Sequence, residues 1–192
     1  MKIATALDPA LDPRTFRLGD IQLGDLAVHI PAGQGSFTGD FDFTKDRGFL
    51  LHVVAGVDTQ SGLAFWQMTA IDPATGLPVD DPSLGLLAPN VDLGQFGVVG
   101  FTIQARPDAT PGATIRASAT VTLDDRPGYV TNVAKNTLDA TAPTTSTTVT
   151  DLGGGAYALS WSTQDDPGGS GVADHAVYVS VDGGPYIAYR EH

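Results

Sequence analysis

Phe49-Leu50-Leu51-His52-Val53-Val54-Ala55-Gly56-Val57 decides how this chain is read. The run is almost wholly apolar and rich in β-branched residues, and it is too short for a long helix. It therefore predicts a central, buried strand. Asp58-Thr59-Gln60-Ser61-Gly62 follows. Its composition is that of a turn, because Asp, Ser and Gly satisfy or permit the backbone geometry of a reversal. Leu63 to Ile71 is again apolar and predicts the return strand of a hairpin.

The same period-two reading extends in both directions. Phe37, Phe41 and Phe43 suggest a pair of strands around Gly39-Asp40, and Val98 to Ala105 predicts another strand. Ile115, Ala117, Ala119, Val121 and Leu123 alternate with Arg116, Ser118, Thr120 and Thr122, so one strand with one buried face is expected there. No segment of helical length carries helical spacing and caps.

Composition agrees. The 192 residues include 23 Gly and 13 Pro, and all but one of the 22 acidic residues are Asp, the exception being Glu191. Asp disfavours helix interiors and favours turns, because its short carboxylate bonds nearby backbone N–H groups. Hydrophobic residues at 42% can fill a core, whereas charged residues at 17% fall below the roughly 25% of ordinary soluble domains. The formal net charge of −12 argues against nucleic acid and anionic membranes, both of which need Lys and Arg. It suits hard cations, for which Asp oxygen is a natural ligand. With no Cys there are no disulfides and no thiolate chemistry. No apolar stretch approaches the roughly 18 residues of a membrane span, and Met1 to Pro9 lacks the apolar stretch of a signal peptide. The expectation is therefore either a protein retained inside the cell or a fragment of something longer.

Two connections stand out. One runs from Asp72 to Gln95 and is rich in Pro, Gly and Asp. The other, Asn136 to Pro143, leads into a Thr-rich tract and reads as a linker. After it the strand pattern restarts with Thr147 to Leu152. Ala156 to Ser162 follows, placing Tyr157, Leu159 and Trp161 on one face, then Ala176 to Val181, Asp182-Gly183-Gly184 and Tyr186 to Tyr189. The division expected is a β-sandwich over 1–138, a linker over 139–146 and a second, partial sandwich over 147–192.

Tyr157 to Tyr189 resembles the first half of a fibronectin type III domain, of the immunoglobulin-like sandwich kind. Trp161 stands in the place of the core Trp, Val177-Tyr178-Val179-Ser180 in that of the third strand, and Asp182-Gly183-Gly184-Pro185 in that of the following turn. The earlier part resembles a repeat domain of large bacterial secreted, adhesin-like surface proteins. The residues carrying this are Thr15 to Asp20, Phe65-Trp66, Ile71 to Gly76, Asp81-Pro82, Gly85 to Asn90 and Asn136 to Ala140. The resemblance implies an extracellular or cell-surface structural or adhesive module within a longer protein. It also implies strands ahead of Leu7 that the sequence does not supply, so the chain reads as cut at both ends. A half-domain should leave an open sheet edge and half a core, to be covered by neighbouring domains or by a second copy in a homodimer.

Candidate sites follow from the acids. Asp139, Asp165, Asp166, Asp124, Asp125 and Asn136 lie near the expected domain junction. With backbone carbonyls they could supply the six to eight oxygens of calcium and so stiffen the hinge. No EF-hand pattern is present. Asp72, Thr75, Asp80 and Asp81 form a second candidate, a loop that grips a metal or ligand or simply caps its own backbone. Adjacent Asp pairs make poor acid–base partners, because neighbouring residues on a strand point to opposite faces. His29, His52, His175 and His192 lack zinc spacing, Gly169-Ser170-Gly171 is not a nucleophile elbow, and no phosphate-binding loop occurs. Two other functions remain open. A carbohydrate-binding module would show coplanar exposed aromatics. A metal-dependent hydrolase would need Asp and His brought together in a pocket.

Overall fold

The computed structural model describes residues 1–81, 84–87, 96–124, 126–139, 141–169 and 171–191, with backbone only at 190 and 191. The chain is all-β. In chain order its strands are β1 (Lys2–Ala6), β2 (Arg17–Leu23), β3 (Leu26–Val28), β4 (Ser36–Phe43), β5 (Phe49–Asp58), β6 (Leu63–Ile71) and β7 (Gly97–Thr102). There follow β8 (Thr114–Ala117), β9 (Thr120–Thr122), β10 (Tyr129–Val130), β11 (Ala134–Thr137), β12 (Thr144–Gly153), β13 (Ala156–Gln164), β14 (Ala176–Val179) and β15 (Ile187–Glu191). A single helical turn, α1 (Thr44–Arg47), joins β4 to β5, and a 3-10 turn spans Pro13–Thr15. No helix among the described residues is long and apolar enough to cross a membrane.

The chain divides into two compact units. The first comprises Met1–Ala109 with Ile115–Lys135, and the second Thr110–Thr114 with Asn136–His192. In the first, a six-stranded antiparallel sheet runs in the order β10-β9-β1-β6-β5-β4, and a three-stranded sheet in the order β3-β2-β7. The predicted β5–β6 hairpin is present. Asp58 makes its turn by accepting the Gln60 N–H (2.9 Å) and the Ser61 hydroxyl (2.7 Å). These bonds hold its carboxyl below the usual range, the Ser61 hydroxyl contributing most.

Both sheets contribute to one core. Phe49, Leu51, Val53, Ala55, Ala64, Trp66, Met68 and Ile3 come from the larger sheet, and Leu18, Ile21, Leu23, Leu26 and Val28 from the smaller. Phe16, Trp66 and Phe101 pack as a mutual trio, with ring centroids 6.0 Å (Phe16–Trp66), 5.2 Å (Phe16–Phe101) and 5.8 Å (Trp66–Phe101) apart. Fully burying side chains of this size stabilises by about 1.5–3 kcal/mol each. At the foot of this core Asp12 caps the 3-10 turn. It accepts the Arg14 N–H at 3.1 Å and is gripped by the same residue's Nε and guanidinium nitrogen at 2.9 and 2.8 Å.

Several strands differ from the sequence expectation, each for a visible reason. Lys2–Ala6 is a strand, and it lies between β6 and β9 in the larger sheet, with Ile3 opposite both Trp66 and Val121. Gly39-Asp40 is not a turn, because β4 runs through it as one edge strand paired with β5 from Ser36 to Phe43. A Cβ at Gly39 would stand 2.8 Å from the tip of the Phe37 ring, so this glycine makes room for an aromatic side chain. Residues 115–123 are not one strand either. At the break, Thr5 Oγ1 donates to the Ser118 carbonyl (2.7 Å), and the Ala119 N–H donates to Thr131 Oγ1 (2.9 Å). β8 pairs with β11, whereas β9 pairs with β1 and β10.

The second unit contains the ribbons β12–β13 and β14–β15. β12 begins at Thr144, within the stretch expected to be linker. Its partners run from Thr144 opposite Gln164 to Gly153 opposite Ala156.

Candidate metal centre and neighbouring surfaces

Asp139 follows β11, and Asp165 and Asp166 immediately follow β13. Each of the three contributes a carboxylate oxygen to a group whose members lie within 4.8 Å of one another. All three were expected to converge, and all belong to the second unit. The local backbone fixes their orientation. Asp165 accepts the Asp166 N–H through Oδ1 (3.0 Å) and the Gly171 N–H through Oδ2 (2.8 Å). Asp139 accepts the Thr141 N–H (3.3 Å). A turn closed by the Gly169 N–H on the Asp166 carbonyl (3.1 Å) curls the loop beneath the carboxylates.

Two further features mark this place. Asp166 Oδ1 is sealed from solvent and has no hydrogen-bond partner among the described residues, an arrangement that costs free energy unless something compensates it. Gly169 also leaves a space that a side chain would fill, since a Cβ there would lie 2.8 Å from Asp165 Oδ2 and 2.9 Å from Asp166 Oδ1. Three like charges this close repel one another unless a cation neutralises them. The donor set is all oxygen, which suits a hard ion of calcium type.

The group of three does not include Asp124, and the remaining residues of the expected metal set are placed as follows. Asp124 belongs to the first unit, adopts a left-handed backbone (φ 50°) and acts electrostatically on the Met1 amine. Asn136 lies in β11 and its side-chain carbonyl accepts the Thr137 N–H (3.1 Å). Asp125 is outside the described residues, as are Ser170 and His192.

The loop after β6 brings its four candidates to one place. Asp72, Thr75, Asp80 and Asp81 line a concavity of about 510 Å³ with Gly48, Leu77, Pro78, Val79 and Leu84. The loop also caps itself. Asp72 accepts the Ala74 N–H (2.8 Å), Thr75 Oγ1 accepts the Leu77 N–H (3.3 Å), and Pro78 bridges back to Ile71. Its continuation at Pro82 and at 88–95 is outside the described residues.

Among the described residues two histidine–aspartate pairs occur that sequence spacing did not reveal. His52 Nδ1 lies 2.6 Å from Asp40, its cross-strand partner, and His29 Nδ1 lies 2.9 Å from Asp20. Asp20 also accepts the Ile30 N–H, and chiefly through that bond its carboxyl lies below the usual range. Both pairs stand on exposed surface, and neither lines the concavity beside β6 or the smaller one, of about 310 Å³, around Arg17 and Gln104.

The second unit's aromatics are open. In the β12–β13 ladder Thr147 faces Trp161, Val149 faces Leu159 and Asp151 faces Tyr157, so these side chains share one face. Tyr157 is 65% exposed and Trp161 38%. His175 holds Trp161 from the side, with ring centroids 6.3 Å apart, and contacts Thr163 Oγ1 at 2.9 Å.

Comparison with protein-family models, with curated proteins and with solved structures finds no match.

Proposed function

We propose that the chain is a structural or adhesive segment of a larger bacterial surface protein. Its first unit is a β-sandwich spacer, and its second is a fibronectin-like unit stiffened by calcium at Asp139, Asp165 and Asp166. The observation that carries the metal reading is the meeting of these three carboxylates around the buried Asp166 Oδ1, which has no hydrogen-bond partner among the described residues. Calcium there would take its remaining oxygens from backbone carbonyls and water. The ion would hold Asp139, which precedes β12, to the loop that follows β13. Its role is mechanical, since it resists separation of two chain segments under load. The strongly acidic composition and the absence of Cys support a protein held together by core packing and cations rather than by disulfides.

Calorimetric titration of the full chain with calcium chloride tests this. One site that disappears in Asp166→Asn supports the reading, and no binding at millimolar calcium overturns it. A homodimer through the open face of β12–β13 belongs to the same proposal, and light scattering across a concentration series decides it.

A second reading draws on Tyr157 and Trp161, which stand on one exposed face of β13. Aromatic faces of this kind stack on sugar rings, so a carbohydrate-binding module is the alternative. A glycan array with wild type and Trp161→Ala separates it from a pure spacer.

A further inference from the structure

β13 (Ala156–Gln164) is a nine-residue strand without a charged residue, a Pro or a Gly. Among the described residues its only ladder partner is β12, so its other edge is open. An unprotected edge of this length is a template for another strand. The larger sheet of the first unit blunts its own two edges. There β10 has only two residues, and β4 carries the exposed Asp40 and Asp42. β13 has neither device.

The ribbon also lacks burial. No described side chain of the second unit is buried. A two-stranded ribbon is marginally stable in water, whereas three or more strands with an apolar face can stand alone. Tyr157, Leu159 and Trp161 share one face of β13 and are 65%, 38% and 38% exposed.

The sequence of β13 is self-complementary about its midpoint, Ser160. In an antiparallel pairing of two copies centred there, Leu159 of one copy faces Trp161 of the other and Tyr157 faces Thr163. Ala158 then faces Ser162, and Ala156 faces Gln164. All nine residues find partners, apolar side chains meet across the seam, and no like charges are opposed. Because the pleat has period two, the apolar rows of both copies fall on the same face. The neighbouring charges agree with this register. It directs Asp165 of one copy towards Gly155 of the other, so the two acidic loops lie at opposite ends of the seam.

We infer that the open edge of β13 pairs antiparallel with β13 of a second copy, about a two-fold axis at Ser160, to give one sheet in the order β12-β13-β13-β12. This rests on the reading of the chain as a homodimer through this ribbon, and it assigns the seam and register that the reading leaves open.

The chain has no Cys, so single-cysteine variants of the full chain report the register. Directly opposed residues of an antiparallel ladder have Cα atoms about 4.5–5.5 Å apart, within disulfide range. Under mild oxidation Ser160→Cys should form a covalent dimer, and Ser162→Cys, which faces Ala158, should not. Light scattering across a concentration series should show a wild-type dimer. Ser160 is exposed and lies opposite Thr148 within the ribbon, so Ser160→Lys leaves the ribbon in place while setting two like charges together at the axis. It should weaken dimerisation about tenfold or more. Wild-type association of Ser160→Lys, or cross-linking of Ser162→Cys as readily as Ser160→Cys, overturns the seam and leaves the homodimer reading intact. A monomer at every concentration overturns both.

Discussion

Gly169 and Asp166 are matched in shape: the glycine has no side chain where a Cβ would stand 2.9 Å from the sealed carboxylate oxygen Oδ1. Gly169→Ala should therefore disturb the carboxylates without removing any of them. Under the proposed calcium reading, affinity for the ion should fall about tenfold or more, since one displaced carboxylate would remove a charge-assisted contact from a small oxygen set. Calorimetry on the variant checks this, and unchanged affinity would show that the space at Gly169 has nothing to do with the ion.

Asp12 predicts an acid limit to the stability of the first unit. The Arg14 side chain, then the Arg14 N–H, lower its carboxyl to about 2 from the ordinary 3.8. A carboxyl depressed by folding contributes stability that is fully present above its unfolded value and lost as pH falls through the folded one. The window is therefore about pH 4 down to about 2. Asp8, Asp42 and Asp58, each lowered by hydrogen bonds it accepts, act in the same direction. Melting temperatures between pH 5 and 2 should fall for wild type, and less steeply for Asp12→Asn. Equal slopes would place the acid sensitivity elsewhere.

Trp66 and Trp161 should report on the two units separately. Trp66 is 1% exposed and Trp161 38%, so acrylamide should quench Trp161 strongly and Trp66 weakly, as single-tryptophan variants will show. Trp66→Ala should destabilise the first unit by about 3–5 kcal/mol, the range for emptying an aromatic core site. Trp66→Phe should cost distinctly less, because the indole N–H has no hydrogen-bond partner among the described residues to lose. Urea unfolding followed on β5–β6 signals measures both.

Gly39 and Phe37 should be energetically coupled. A Cβ at Gly39 displaces the Phe37 ring, which also meets Phe41 at a centroid distance of 5.8 Å. Gly39→Ala should destabilise by about 1–3 kcal/mol, the usual cost of overpacking. In Phe37→Ala the same substitution should be close to neutral or favourable. A double-mutant cycle with an interaction below about 0.5 kcal/mol would contradict the contact.

The calcium candidates show how far local chemistry carries. The sequence offered Asp139, Asp165 and Asp166 only within a set of six near the expected domain junction, and the structure groups these three, two in the Gly-rich turn after β13 and one in the stretch before β12. Asp124 looked equivalent in sequence, yet it belongs to the first unit, whereas the three grouped carboxylates belong to the second. The His52–Asp40 pair was hidden for the opposite reason: only the β4–β5 register sets those two residues opposite each other.

The sequence by itself determined the all-β class, the β5–β6 hairpin with its Asp58 turn and the two strands of the β12–β13 ribbon. These depend on side-chain alternation and on bonds between residues a few positions apart, which composition and spacing record directly. Only the tertiary structure decided that Lys2–Ala6 lies within the larger sheet, that β4 is one edge strand and that 115–123 divides between two ladders. Those outcomes are choices among partners distant in the chain, settled by hydrogen bonds such as Thr5 to Ser118 and Ala119 to Thr131 that no local pattern announces.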